Sequence, residues 1–308
     1  MKSIPKGLLH SRQQLIHEYQ ELQKIDRSIY SREKKSLNHR AENRYRDVIP
    51  YESTRVKMQY PTKYTVDGYI NASFVSPDGS DVHRYIASQG PLENTVGAFW
   101  QCVLEEIFLH DKIVVNVIML TELKEGNHEK CFDYIKNIER DVPQAMHDVF
   151  NVDFDQVKFS GLQTLNEGGI ELREFVVTTT GGQEKIARHV WVRRWPDFGV
   201  PSRLSDNNEY VIKYLSDADS KAGVSRNEVS SVVHCSAGVG RSGTYIAMDW
   251  YYNEVFQKQD KEMESRDDVV FSCVANLRKS RVMMVQRFEQ YEYLYHALRD
   301  FYGSDEGL

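Results

Sequence analysis

Apolar residues recur along this chain with two periods, and the switches between them outline its elements. Leu15, Ile16, Tyr19, Leu22 and Ile25 keep helical spacing and predict an amphipathic helix over roughly residues 10–28. The charged stretch SREKKSLNHRAENR that follows reads as solvated loop. From there to about residue 90, short strands alternate with turn signals such as Asp67-Gly68 and Asp78-Gly79. A helix is expected from Asn94, with Val96, Phe99, Trp100, Val103, Leu104 and Ile107 on its apolar face. KIVVNVIML, residues 112–120, has the length and branching of a buried strand. Strand patterns return over 148–195 as DVFNVDF, IELREFVVTTT and KIARHVWVRRW, with Gly181-Gly182 as a hairpin turn. Helices are expected near 203–218, 241–258, 267–280 and 287–301, with the short strand SVVH between the first two. Hairpins mixed with βα units imply an α/β fold: one domain over 1–308, its central twisted mixed β-sheet flanked by α-helices.

Composition narrows the function classes. The net charge of −6, from 39 Lys plus Arg against 45 Asp plus Glu, argues against a protein built to coat nucleic acid. An anionic ligand remains open to a local basic cluster acting within a Debye length of about 8–10 Å. The four cysteines, at 102, 131, 235 and 273, have no regular spacing and form neither a disulfide framework nor a zinc ribbon. No metal or organic cofactor is expected. The N-terminal segment lacks a signal-peptide apolar core, and the longest apolar run is far short of a membrane span. The expectation is a cytoplasmic monomer with no membrane insertion.

The densest chemistry lies in VVHCSAGVGRSGTYIAMDW, residues 232–250, which reads as strand, tight loop, then helix. Five residues separate Cys235 from Arg241, and Gly238 and Gly240 among them permit positive φ and close approach to a ligand. Such a loop can turn successive amides inward as an anion nest at a helix N-terminus. Arg241 adds a planar fork that Lys cannot imitate. Cys235, in the same positive potential, is expected to be a thiolate at neutral pH. A lone C-x5-R is a weak pattern, but the whole string HCSAGVGRSG closely resembles the signature of the protein tyrosine phosphatase family.

That resemblance implies that Cys235 attacks phosphorus while Arg241 and the backbone of Ser236, Ala237, Gly238, Val239 and Gly240 hold the phosphoryl oxygens. Ser242 matches the hydroxyl that helps the thiolate leave, and His234 the residue that helps keep the cysteine ionised. A thiolate nucleophile also needs a proton donor for the leaving tyrosinate. WPDFGVP (195–201) supplies Asp197, in a loop resembling the family's mobile acid loop, with Trp195 at its hinge. NRYRDV (43–48) resembles the phosphotyrosine-recognition loop. There Tyr45 would wall a deep slot, Asp47 would accept from the substrate backbone, and Arg46 would favour acidic flanking residues. DGYINAS (67–73) and SQGPLENT (88–95) follow at family-like spacing, favouring the tyrosine-specific branch. MVQRFEQYEY (284–293) resembles the glutamine loop, with Gln286 orienting the hydrolytic water and Gln290 supporting it. Glu125 matches the acid that fixes the signature arginine, with Glu122 as its rival. Cys102, Cys131 and Cys273 are read as core thiols.

The resemblance runs from about residue 40 to 300. Residues 1–30 fit a helical N-terminal cover, and 302–308 form a short tail. Met283 replaces the small residue that opens a second aryl-phosphate pocket, Arg287 stands where Thr is usual, and RHVWVRRW replaces a His-rich lead into the acid loop. In being almost bare catalytic region, the chain is similar to the short phosphatases carried by parasitoid-wasp viruses, which would place it in the host-cell cytoplasm. The implied partners are phosphotyrosine-containing proteins, and the implied reaction is two-step transfer through phosphocysteine. A shielding phosphotyrosine-binding module would be expected to lack Cys235, Asp197 or Arg241. An enzyme for phosphoinositides or phosphoserine is disfavoured by Tyr45.

Overall fold

The computed structural model describes residues 3–33, 39–60, 64, 67–82, 84–110, 112–151, 157–179, 181–193, 195–196, 199–201 and 207–303. Ser11 and Gln14 form a capping box that starts α1, Arg12–Arg32. Leu15, Tyr19 and Leu22 turn inward from this helix, while Ile16 stays exposed. β1 (Arg55–Lys57), β2 (Tyr69–Val75) and β3 (Tyr85–Ser88) lead to α2 (Val96–Phe108), which begins just after the expected Asn94. β4 (Val114–Met119) is buried at every position, as its apolar run implies. A small ribbon, β5 (Lys124–Glu125) with β6 (His128–Glu129), follows.

The strand expected over 148–154 is corrected in part: residues 148–150 belong to helix α3, Ile138–Phe150. Ile138, Val142, Ala145 and Met146 are its buried face at helical spacing. Pro143 inside the helix obscures that pattern, and Asn151 closes it with φ 54°. Residues 152–156 lie outside the described residues, and the strand β7 runs instead over Val157–Leu165. β8 (Ile170–Thr178) and β9 (Glu184–Val192) join through the expected glycine hairpin, where Gly182 has φ 78° and Thr179 N–H donates to the Gln183 carbonyl at 2.9 Å.

Next come α4 (Asn207–Lys221), β10 (Val229–His234) and α5 (Gly240–Trp250), which continues as a π-helical stretch, Tyr251–Phe256. α6 (Lys261–Ser265), α7 (Val269–Ser280) and α8 (Phe288–Gly303) complete the described elements.

One eight-stranded sheet runs β1-β2-β3-β10-β4-β9-β8-β7. The inner four strands, β3, β10, β4 and β9, are mutually parallel, and both flanks are antiparallel. Alternation along β10 divides the core: Val232 faces α2 and α3, whereas Val233 faces α1, α4, α5, α7 and α8. β10 is central and parallel to both neighbours, so its C-terminal end opens where ligands of such sheets bind. Among the described residues no helix is long and apolar enough to cross a membrane.

Candidate active site

Cys235 follows the last residue of β10, and α5 starts five residues later. The intervening loop is held by its carbonyls. His234 Nδ1 lies 3.2 Å from the Cys235 carbonyl, and Gly90 N–H donates to that of Ser236 at 2.9 Å. Arg281, wholly buried, donates to Ala237 O at 3.0 Å and Gly238 O at 2.9 Å. Val239 O accepts from Gly243 and Val285 amides at 3.0 and 3.1 Å. With every carbonyl from 235 to 239 committed to the scaffold, the opposite, amide edge of these peptides is left for an anion. Gly238 has φ 71°, and a methyl there would sit 2.1 Å from the Ser88 carbonyl oxygen, so glycine is required twice over.

The electrostatics of Cys235 oppose one another. Burial pushes its thiol up, but the Arg241 guanidinium, the Ser242 hydroxyl and amide, and the Val239 amide together bring it below its ordinary value. Among the described residues the buried Ser242 hydroxyl has no other partner. Arg241 is aimed by Glu125 Oε1 at 2.8 Å and by the Trp195 carbonyl at 3.0 Å. Glu122 pairs with Arg193 at 3.0 Å, so the geometry favours Glu125 over its rival. His234 is neutral: burial pushes it down to about 4. Its Nε2 lies 2.6 Å from the Tyr134 hydroxyl, which is also 2.9 Å from His189 Nε2. His234 therefore reaches Cys235 through a hydrogen bond to the carbonyl, not through a positive charge.

A cavity of about 250 Å³ opens above this loop, lined by Tyr45, Asp47, Lys130, Cys235, Gln286 and Gln290 among others. Ser236 Oγ donates to Lys130 O at 2.9 Å, so the Tyr45 hydroxyl, 2.8 Å away, is the donor to Ser236. Tyr45 is braced by its neighbour Arg44, which donates to Gly90 O at 3.1 Å and Pro91 O at 2.7 Å. Asn71, from the DGYINAS stretch, joins the recognition loop to the cradle. It donates to Asn43 Oδ1 at 2.7 Å and Val48 O at 2.8 Å, and accepts from Arg281 at 2.8 Å. Gly240 admits the two glutamines, since a methyl there would lie 3.0 Å from Gln290 and 3.4 Å from Gln286.

The structure thus gathers Tyr45, Asp47, Cys235, Ser236, Ala237, Gly240, Arg241, Gln286 and Gln290 around one cavity. Arg46 is exposed and does not line it. Asp197 lies outside the described residues; beside it, buried Trp195 donates its indole N–H to Gly199 O at 3.0 Å. Met283 is half-buried at φ 57°. Cys102, Cys131 and Cys273 are buried, with burial first among the causes raising each thiol. Sequence reasoning missed Lys130, Tyr134 and Arg281. Of these only Arg281 left a signal, as the second arginine of LRKSR, just past the largely apolar helix α7.

Comparison with known proteins bears on the same region. The family model described as protein-tyrosine phosphatase matches residues 39–300. The chain is 34% identical over 272 residues to receptor-type tyrosine-protein phosphatase eta of Gallus gallus, covering 87% of this chain and 17% of the relative. It is 33% identical over 280 residues to tyrosine-protein phosphatase non-receptor type 9 of Homo sapiens, covering 86% of this chain and 42% of the relative. The chain spans less than half the length of either. The crystal structure of the catalytic domain of human protein tyrosine phosphatase non-receptor type 18 superposes with a TM-score of 0.70 at 25% identity, over 93% of this chain and 96% of that one. PTPN18 in complex with HER2 phosphopeptides gives 0.70 at 26% identity, over 94% and 93%.

Proposed function

The chain belongs to the protein-tyrosine phosphatase family, and from that premise we propose that it acts as one catalytic domain hydrolysing phosphotyrosine in proteins. The observation that carries this reading is a cysteine with a lowered thiol pKa, beside a buried arginine, at the floor of a cavity walled by Tyr45. Cys235 attacks phosphorus in line, the P–S bond forms, and the tyrosyl oxygen leaves with its electron pair and takes a proton from Asp197. Arg241 and the loop amides hold the equatorial oxygens, a preorganised field worth several kcal/mol in such sites. Water then bonds to phosphorus as the P–S bond breaks, giving its proton to the Asp197 carboxylate. Gln286 orients that water, Gln290 supports it, and Ser242 stabilises the departing thiolate. His234 and Glu125 act through Cys235 and Arg241.

Tyr45 gives the slot its depth, which an aryl phosphate spans and a serine phosphate does not. Asp47, on the rim, receives the substrate backbone, and exposed Arg46 meets acidic flanking residues. Phosphotyrosine proteins are the partners, a reading supported by the phosphopeptides bound to PTPN18. Cytoplasmic residence, a monomeric state and a second phosphate pocket closed by Met283 belong to the same reading.

The test compares a phosphotyrosine with a phosphoserine peptide in the native protein, Cys235→Ser and Asp197→Ala. Turnover is expected only on phosphotyrosine and is abolished in Cys235→Ser. In Asp197→Ala, kcat falls about 10²–10⁴-fold with KM unchanged or lower, and the alkaline limb of kcat above roughly pH 6–7 disappears. Residual hydrolysis by folded Cys235→Ser, or an unaltered alkaline limb in Asp197→Ala, would withdraw the assignment.

A further inference from the structure

The residues leading into Gln286 hold a backbone that their own side chains disfavour. Met283 has φ 57° and Val285 φ 56°, a region uncommon for any non-glycine and an outlier for a β-branched one. Such a conformation persists only where its surroundings over-determine it. Here the surroundings are α1 and α7. Asp26 Oδ1 accepts from the Met283 amide at 3.1 Å, and the Tyr19 hydroxyl donates to the Gln286 carbonyl. Arg278, buried at the end of α7, donates to Met284 O and Val285 O, each at 2.9 Å. Its guanidinium lies 5.3 Å from the Tyr19 ring centroid. Tyr19 and Asp26 stand two turns apart on α1, and neither lines the cavity. Their hydrogen bonds grip the two ends of the loop that presents Gln286.

We infer that Tyr19 and Asp26 are positioning residues for water attack on phosphocysteine, acting through the backbone of residues 283–286 on Gln286. The inference rests on the role proposed for Gln286. Formation of phosphocysteine depends on the cradle, Arg241 and the acid, whose hydrogen-bonded supports lie outside this loop except for the Val285 amide on Val239 O, a bond that neither Tyr19 nor Asp26 makes. Only the second step, in which water bonds to phosphorus and the thiolate leaves, needs the amide of Gln286 in place. Loss of one gripping hydrogen bond should therefore slow breakdown of the intermediate and leave its formation untouched.

The experiment uses rapid acid quench with a ³²P-labelled phosphotyrosine peptide, beside steady-state kinetics. Tyr19→Phe and Asp26→Ala are each expected to lower kcat about 2- to 10-fold, the scale of one hydrogen bond, with kcat/KM unchanged and trapped phosphocysteine increased. Asp26→Asn keeps an oxygen for the Met283 amide and should restore native breakdown. In a Gln286→Ala background, Tyr19→Phe should add nothing. A parallel fall in kcat and kcat/KM, or no accumulation while Gln286→Ala alone accumulates phosphocysteine, overturns the inference and leaves the role of Gln286 standing. If Gln286→Ala itself breaks down the intermediate at the native rate, that role falls and the inference with it.

Discussion

The cradle at 235–243 and the loop at 283–286 face the same cavity and meet at the Val285–Val239 hydrogen bond, 3.1 Å long, yet they are held by opposite means. In the cradle, each demanding position is a glycine. Gly238 takes φ 71°, and methyl groups at 240 and 243 would come within 3.0 Å of Gln290 and 2.6 Å of the Val285 amide. In the glutamine loop the demanding positions are Met283 and Val285, and distant side chains hold them there. One region meets its conformational demand by residue choice. The other has strain of order 1–3 kcal/mol per residue imposed on it and offset by hydrogen bonds from two helices. A site can be rigid by either route, but the second is vulnerable to changes far from the chemistry.

The sharpest way to break this comparison is Arg281→Met, because the cradle too depends on one distant side chain. The variant removes the donor from four acceptors, Ala237 O, Gly238 O, Asn71 Oδ1 and Ser73 Oγ. At about 1–3 kcal/mol for each unsatisfied group, stability should fall by roughly 3 kcal/mol or more. Urea unfolding with phosphate or vanadate titration would measure it. Native stability and affinity would show that glycine geometry alone suffices.

Gly238→Ala comes next. Left-handed backbone costs roughly 1–2 kcal/mol with a Cβ, and the Ser88 carbonyl must also shift. A displacement of about 1 Å in such a site lowers kcat/KM on the order of 10²-fold. A variant with native kcat/KM on an aryl phosphate would refute local control of the cradle.

A smaller effect should appear with pH. His234 is pushed down to about 4 by burial, against about 6.5 in the unfolded chain. The unfolded state then binds more protons across that interval, so stability falls as pH drops from about 6.5 to about 4. Cys235 acts in the same direction at higher pH. Its folded pKa is depressed, so its contribution is full above the unfolded thiol's value and is lost as pH falls through the folded one. Urea midpoints from pH 4 to 9 should show both limbs. His234→Gln should reduce the acid limb, to which buried His189, also pushed down by burial, contributes in the same direction, and Cys235→Ser should flatten the upper one; unchanged slopes would contradict these shifts.

The smallest effect is expected for Met283→Gly, which removes the penalty of positive φ but also a half-buried side chain. The unfolding free energy should move by no more than about 1 kcal/mol. A larger loss would mean that Met283 packing, not the grip of Asp26 and Tyr19, sets this loop.

Much of the site was legible because its chemistry is contiguous. HCSAGVGRSG places the proposed nucleophile, the glycines and the arginine within ten residues, and the flanking strand and helix follow from apolar pattern alone. Tyr45, Asp47, Gln286 and Gln290 came from short motifs by resemblance, and all four line the cavity. The strand expected over 148–154 gives way to helix at 148–150, because Pro143 hid the helical period before it. Asp197 lies outside the described residues and rests on its motif.

By itself, then, the sequence determined which residues could do chemistry, the α/β class, and the glycines that make a tight anion loop, since each depends on neighbours a few positions apart. Only the tertiary structure decided what holds those residues still. Arg281 ties the cradle to Asn71 across 210 residues, Tyr134 joins two histidines from separate strands, and Asp26 reaches Met283 across 257. Such contacts leave no local period or propensity, because a hydrogen bond depends on where two groups lie in space and not on how far apart they stand in the chain.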